Sequence, residues 1–144
     1  WDSVEIMLAF TTIGCIISML LSRELNLLSA GDENARALGI DAEKMRILCF
    51  VVVALMSASI VSFTGLIGFV GLVAPHVVRL FIGADNKYLI PASAFFGAAL
   101  LVVSDIIGRT ALSPTILQVG VVTAFLGGPL FLWLIIRKDT KVWG

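Results

Sequence analysis

ILCFVVVALMSASIVSFTGLIGFVGLVAPHVVRLFIGA, residues 47–84, decides how this chain crosses a membrane. Its 38 residues include no acid, and His76 and Arg79 are their only basic side chains. A transmembrane helix needs about 20 apolar residues to cross a hydrocarbon core of about 30 Å. The stretch is too long for one ordinary span and short for two. The basic residues decide between them, because cytoplasmic loops are enriched in Lys and Arg. One crossing would leave five of the ten basic residues inside (Arg23, Arg36, Lys44, Arg46, Arg109) and five outside (Arg79, Lys87, Arg137, Lys138, Lys141). Two crossings, with a turn near residues 64–68, place every one of them inside except Arg109. The chain is therefore read as crossing twice here.

Working outward gives five spans, roughly 3–22, 47–64, 68–84, 89–108 and 116–136, with the N-terminus outside and the C-terminus cytoplasmic. The fold class is all-α integral membrane, a polytopic helical bundle, with residues 1–144 forming a single transmembrane domain. Composition agrees. Apolar residues make up 59% of the chain and the mean hydropathy is +1.05, whereas a soluble domain has about 45–50% apolar residues. The net charge is zero, so nothing points to nucleic acid. Cys15 and Cys49 fall inside apolar runs and read as small packing residues, and one histidine supplies no metal-ligand set. The chain starts at Trp1 without a signal-peptide pattern. It is expected to be a piece of a longer membrane protein.

Against this background, residues 29–46, SAGDENARALGIDAEKMR, form one polar island. Together with Arg23 and Glu24 they hold nine of the twenty charged residues. Asp32, Glu33 and Asn34 suit a helix start. Ala35, Arg36, Ala37 and Leu38 are good helix formers. Gly39 stands where a helix would end in a left-handed turn, and Asp41 can cap a second helix that runs through Glu43, Lys44 and Arg46 into the next span. The pattern is helix, glycine turn, helix; an ordinary solvated loop is the plainer alternative.

Helix breakers mark the other half. Gly65, Gly68 and Gly71 precede Pro75, permitting a tight turn at 64–65 and close helix approach. Pro91 is placed in the first turn of the fourth span, and Pro114 before the last. Gly127, Gly128 and Pro129 are expected to weaken or kink the last span, either as a packing kink or as a break lining a cavity.

His76 and Arg79, three apart, share a helix face. They could form a polar pathway, but a snorkelling Arg79, with His76 donating to a carbonyl freed by Pro75, fits as well. Asp105 and Arg109, four apart, could be a local ion pair or could offer Arg109 to an external partner. No nucleophile elbow, zinc motif or phosphate loop occurs. On these residues alone an importer subunit, an ion-gradient transporter using His76, Arg79 and Asp105, and a membrane enzyme using His76 or Asp105 as base all remain open.

Three stretches narrow the choice: GFVGLVAPHVVRLFIGADNKYLIPASAFFGAALLVVSDIIGRT (68–110), GDENARALGID (31–41) and VGVVTAFLGGPLFLWLI (119–135). Together they resemble the permease subunits of bacterial ABC importers for iron–siderophores, haem and vitamin B12. The resemblance covers nearly the whole chain in order, and corresponds to the last five of the family's usual ten spans. It implies a plasma-membrane permease, bacterial or archaeal, with no catalytic residues and no cofactor bound directly. It also implies two ATP-binding subunits that carry the ATP, a periplasmic or lipoprotein substrate-binding protein, a second permease copy and surrounding lipid as partners. By the same resemblance Glu33, Ala35, Arg36, Leu38 and Gly39 couple to the ATPase, and Arg109 docks the binding protein. The resemblance places Gly127, Gly128 and Pro129 in a broken final span beside the pathway; Pro75 and His76, from their own residue types, are the other candidates for a helix break at the pathway.

Overall fold

The computed structural model describes residues 1–110 and 118–139. Among them are seven helices and no strand: α1 (Asp2–Leu20), α2 (Ser22–Ser29), α3 (Asp32–Ala37), α4 (Ala42–Thr64), α5 (Val70–Ile82), α6 (Asn86–Thr110) and α7 (Val119–Asp139). A helix thus occupies each apolar stretch. Pro114, Lys141 and residue 116, the expected start of the last span, lie outside the described residues.

Four helices, α1, α4, α6 and α7, are long and apolar enough to cross a membrane. α5 is not. Its 13 residues extend about 20 Å at 1.5 Å per residue, well short of the 17-residue span expected over 68–84. The difference lies at its start. α4 ends at Thr64, Gly65 turns with φ 78°, and the chain stays non-helical until Phe69, itself at φ 65°. Only from Phe69 onward does the ladder begin, with Leu72 N–H and Val73 N–H donating to its carbonyl at 3.1 and 2.8 Å.

One helix is additional and two further expectations are corrected. α2 follows the first span as a separate helix; Leu21, Leu25 and Leu28 recur at helical spacing, all partly buried. Pro91 lies inside α6 instead of in its first turn, because Asp85 starts the helix three residues early: its carbonyl accepts from Tyr88 and Leu89, and its carboxylate from Lys87 N–H. α7 runs unbroken through Gly127, Gly128 and Pro129. A proline within an apolar helix removes one N–H, and neighbouring packing can hold the helix through it. Pro75 likewise sits within α5, so the interruption on that side lies upstream, at residues 65–69.

The described chain clusters into two compact units. The first comprises Trp1–Gly65 and Ile82–Ala92. In it α1 lies along α4. Gly14 is buried there, and a side chain at that position would run into the Met56 thioether. Nearby, the Thr64 hydroxyl donates to Ile60 O at 2.9 Å, and its Oγ1 lies 3.7 Å from Met7 Sδ. The second unit comprises Leu66–Phe81 and Ser93–Gly144. Its core is small: Val73, Ala74, Val78, Ser104, Val122 and Thr123 are buried. The Ser104 and Thr123 hydroxyls donate to the Leu100 and Gly120 carbonyls, at 2.8 and 3.0 Å, so neither is stranded in an apolar setting. The large side chains point the other way. Leu66, Phe81 and Phe125 are each more than 80% exposed, and Phe50, in the first unit, is 80% exposed. An outward apolar surface of this extent needs lipid or protein against it.

Candidate functional site

The polar island folds as a helix–turn–helix corner. Gly31, at φ 116°, opens α3, and Asp32 and Glu33 fill its first turn, where the helix dipole favours negative charge. α3 closes on Gly39, at φ 81°. Gly39 N–H donates to Arg36 O and Ile40 N–H to Ala35 O, both at 3.0 Å. This is the pair of bonds that ends a helix on a left-handed glycine. Two residues later Asp41 caps α4, its Oδ1 accepting from Glu43 N–H at 3.2 Å and Lys44 N–H at 3.3 Å. Arg46 of α4 reaches back to Asp32 of α3, Nη2 to Oδ1 2.8 Å. The turn, the cap and the ion pair together fix the angle between the two helices.

Burial divides the five expected coupling residues. Glu33, Arg36, Leu38 and Gly39 are exposed, with Leu38 at 65%. Ala35 is fully buried. It seats α3 against the first unit, with Ala42 beside it in burial, and takes no part in the exposed face. What the corner presents is one leucine flanked by an acid and a base.

Asp41 is held below the usual carboxylate range, first by the Lys44 backbone N–H and then by the Lys44 side chain, whose Nζ lies 3.2 Å from Oδ2. A carboxyl lowered by folding stabilises the fold fully above its unfolded value, and that contribution is lost as pH falls through the lower folded value. Protection of the Glu43 and Lys44 amides, taken relative to the intrinsic exchange rate at each pH, should therefore fall as pH drops below about 4. Asp41→Asn should remove this acid dependence; an unchanged profile in the variant would assign it elsewhere.

The second unit holds the remaining candidates. Asp105 and Arg109 form the local pair, Oδ2 to Nε 2.8 Å, with the Arg109 side chain two-thirds exposed. His76 Nδ1 donates to Leu72 O at 3.0 Å, one position beyond the Gly71 carbonyl that Pro75 leaves without its helical donor. Its ring meets Phe131 edge-on at 6.2 Å. Gly127 faces Phe69 and Val73. Gly128 faces open space, with no atom within 4 Å of where its Cβ would stand. So the α7 glycines are not equivalent: one admits the irregular segment before α5 and the other does not.

Two features escaped the sequence reading. Phe69 has a left-handed backbone, which no local motif signals for an aromatic residue. Asn26 reaches across to the turn before α6; it stands in a short run of mixed polarity between the first span and the polar island.

Residues 1–137 match the FecCD transport family. The chain belongs to that family. The Hemin transport system permease protein HmuU of Yersinia pestis is 40% identical over 138 residues, 96% of this chain and 41% of its own length. The Cobalamin import system permease protein BtuC of Halobacterium salinarum is 41% identical over 142 residues, 98% of this chain and 38% of its own. A solved chain described as a metal-chelate type ABC transporter in an inward-facing conformation superposes with a TM-score of 0.87 at 31% identity, covering 95% of this chain and 44% of that one. This FecCD chain thus spans about two fifths of the length of the curated relatives it matches. With four helices of membrane-crossing length, it is a multi-pass membrane protein of all-α architecture.

Proposed function

We propose that residues 1–144 supply the C-terminal half of the transmembrane subunit of an ABC importer, which forms the pathway for a metal chelate. A ferric siderophore is the foremost substrate, with haem and cobalamin as close alternatives. The observation that carries this reading is the exposed corner at Leu38 and Gly39, in a chain whose long helices expose many large apolar side chains. A compact tip with Leu38 between Glu33 and Arg36 suits a groove on a soluble partner: an apolar anchor with charges that set register. The partners are two ATP-binding subunits, which hold and hydrolyse ATP, a second permease copy, and a substrate-binding protein on the opposite face. This chain carries out no covalent step. The corner is cytoplasmic, as is the C-terminus, and Arg109 stands on the outer side, where its exposed guanidinium meets a carboxylate of the binding protein.

The test is reconstitution of the full-length permease with its ATPase subunits in liposomes, offered haemin, ferric citrate and cyanocobalamin with the binding protein. One of the three should accumulate only with ATP. Arg109→Glu should weaken binding-protein attachment about tenfold or more, and most at low salt. Uptake that follows an ion gradient and needs no ATPase would overturn the importer reading. Binding-protein affinity unmoved by Arg109→Glu would remove that residue from the docking face.

A further inference from the structure

Asn26, on α2, makes two hydrogen bonds to residues about sixty positions away. Its Nδ2 donates to Asp85 Oδ1 at 2.8 Å, and its Oδ1 accepts from Asn86 N–H at 2.8 Å. Both polar ends of one short amide are thus engaged by adjacent residues of the same turn. Asp85 Oδ1 also accepts from Lys87 N–H at 3.0 Å, so the carboxylate that receives Asn26 is the cap of α6. All of these residues belong to the first unit. Two-point attachment fixes direction as well as distance, which a single hydrogen bond does not. Asp85 is held below the usual carboxylate range, foremost by the Asn26 amide.

The placement gives the attachment its meaning. α2 leads within two residues into α3, the helix of the exposed corner, and packs against it. Asn86 is the first residue of α6, the helix that carries Asp105 and Arg109 at its other end. The Asn26 amide is therefore a tie between the arm that bears the ATPase-facing corner and the start of the helix that ends at the docking arginine.

We propose that Asn26 is a positioning residue for transport: through Asp85 and Asn86 it passes displacement of the α2–α3 arm to the first turn of α6. This deepens the importer reading and rests on it. Glu33, Arg36 and Leu38 would engage the ATPase, and Asn26 would make that engagement move α6.

The test uses the full-length permease in complex with its ATPase subunits and binding protein. Uptake and ATP hydrolysis are measured in the same vesicles, using whichever of haemin, ferric citrate and cyanocobalamin the wild type accumulates. N26D keeps the shape but sets a carboxylate against Asp85; uptake per ATP should fall about tenfold, because like charges in contact repel strongly. D85N keeps the oxygen that accepts from Asn26 and Lys87 and should lose less than about threefold. Combining N26D with D85N removes the second negative charge, leaves an oxygen at position 26 to accept from Asn86 N–H, and should return uptake per ATP to within about threefold of D85N alone. ATPase subunits should co-purify in wild-type amount throughout. Wild-type coupling in N26D, or a double variant no better than N26D, overturns the proposal. Should N26D fail to assemble, the double variant decides: recovered coupling supports the tie, and continued failure overturns it. A wild-type permease that binds no ATPase would overturn the importer reading and this proposal with it, whereas a fully coupled N26D overturns this proposal alone.

Discussion

Gly39→Leu is expected to reduce the amount of ATPase subunit that co-purifies with the full-length permease by roughly 5- to 30-fold, the span that 1–2 kcal/mol covers. The reason is backbone strain alone. Gly39 is at φ 81°, a conformation that costs an L-residue about 1–2 kcal/mol. No atom lies within 4 Å of where a Cβ would stand, so no clash contributes. The strain can be relieved only by opening the turn that Gly39 N–H and Ile40 N–H close on Arg36 and Ala35. Opening it swings Leu38 and Arg36 away from the start of α4, and the exposed face loses its shape while every side chain that composes it remains. Gly39→Asn isolates the strain from the mere presence of a side chain, because Asn tolerates the left-handed region far better than Leu. It should retain most of the complex. If Leu at this position binds ATPase like wild type, or Asn is as damaging as Leu, the turn does not set the docking geometry.

Gly127→Ala is expected to destabilise the full-length protein by about 1–3 kcal/mol, the usual cost of overpacking, while Gly128→Ala leaves it unchanged or slightly more stable. A Cβ at Gly127 would stand 2.6 Å from Phe69 Cβ and 3.3 Å from its Cγ. Phe69 has little room to yield. It already occupies φ 65°, which is costly for a bulky residue, and its carbonyl starts the α5 ladder through Leu72 and Val73. At Gly128 the added methyl meets no atom within 4 Å, and Ala is the better helix former by about 1 kcal/mol. Unfolding temperature in detergent, followed for both variants beside wild type, reads the contrast. Equal stability of the two would mean that α7 does not hold the 65–69 segment in place through Gly127.

The contrast between these neighbours also shows what a sequence conceals. The long apolar helices followed from hydropathy, and the helix–turn–helix corner from residues whose preferences are local: Gly39 in the left-handed region, Asp41 as cap. Those choices are made within a few residues of each other, so pattern suffices. Gly127 and Gly128 look alike in sequence because what separates them is a neighbour some sixty positions away. The proline positions misled for a related reason. A proline marks a lost hydrogen bond, but whether a helix breaks there depends on what surrounds it; α6 and α7 run through theirs. Ala35 joined the coupling group by likeness of motif, and only burial places it on the inward side. Asn26 was invisible because both of its partners come from a turn distant in the chain.

The brevity of α5 bears on how the protein is made. A segment leaving the ribosome partitions into the bilayer by its own apolar length, and about 20 residues are needed to stretch across it. α5 offers 13 and is preceded by five non-helical residues whose exposed peptide groups oppose transfer into hydrocarbon. It therefore cannot hold a transmembrane position unaided during synthesis. Its residence depends on α7, whose Gly120 lies against the Leu66 carbonyl and which is not synthesised until more than thirty residues later. Until α7 arrives, residues 65–69 lack the neighbour that Gly120 and Gly127 bring against Leu66 and Phe69.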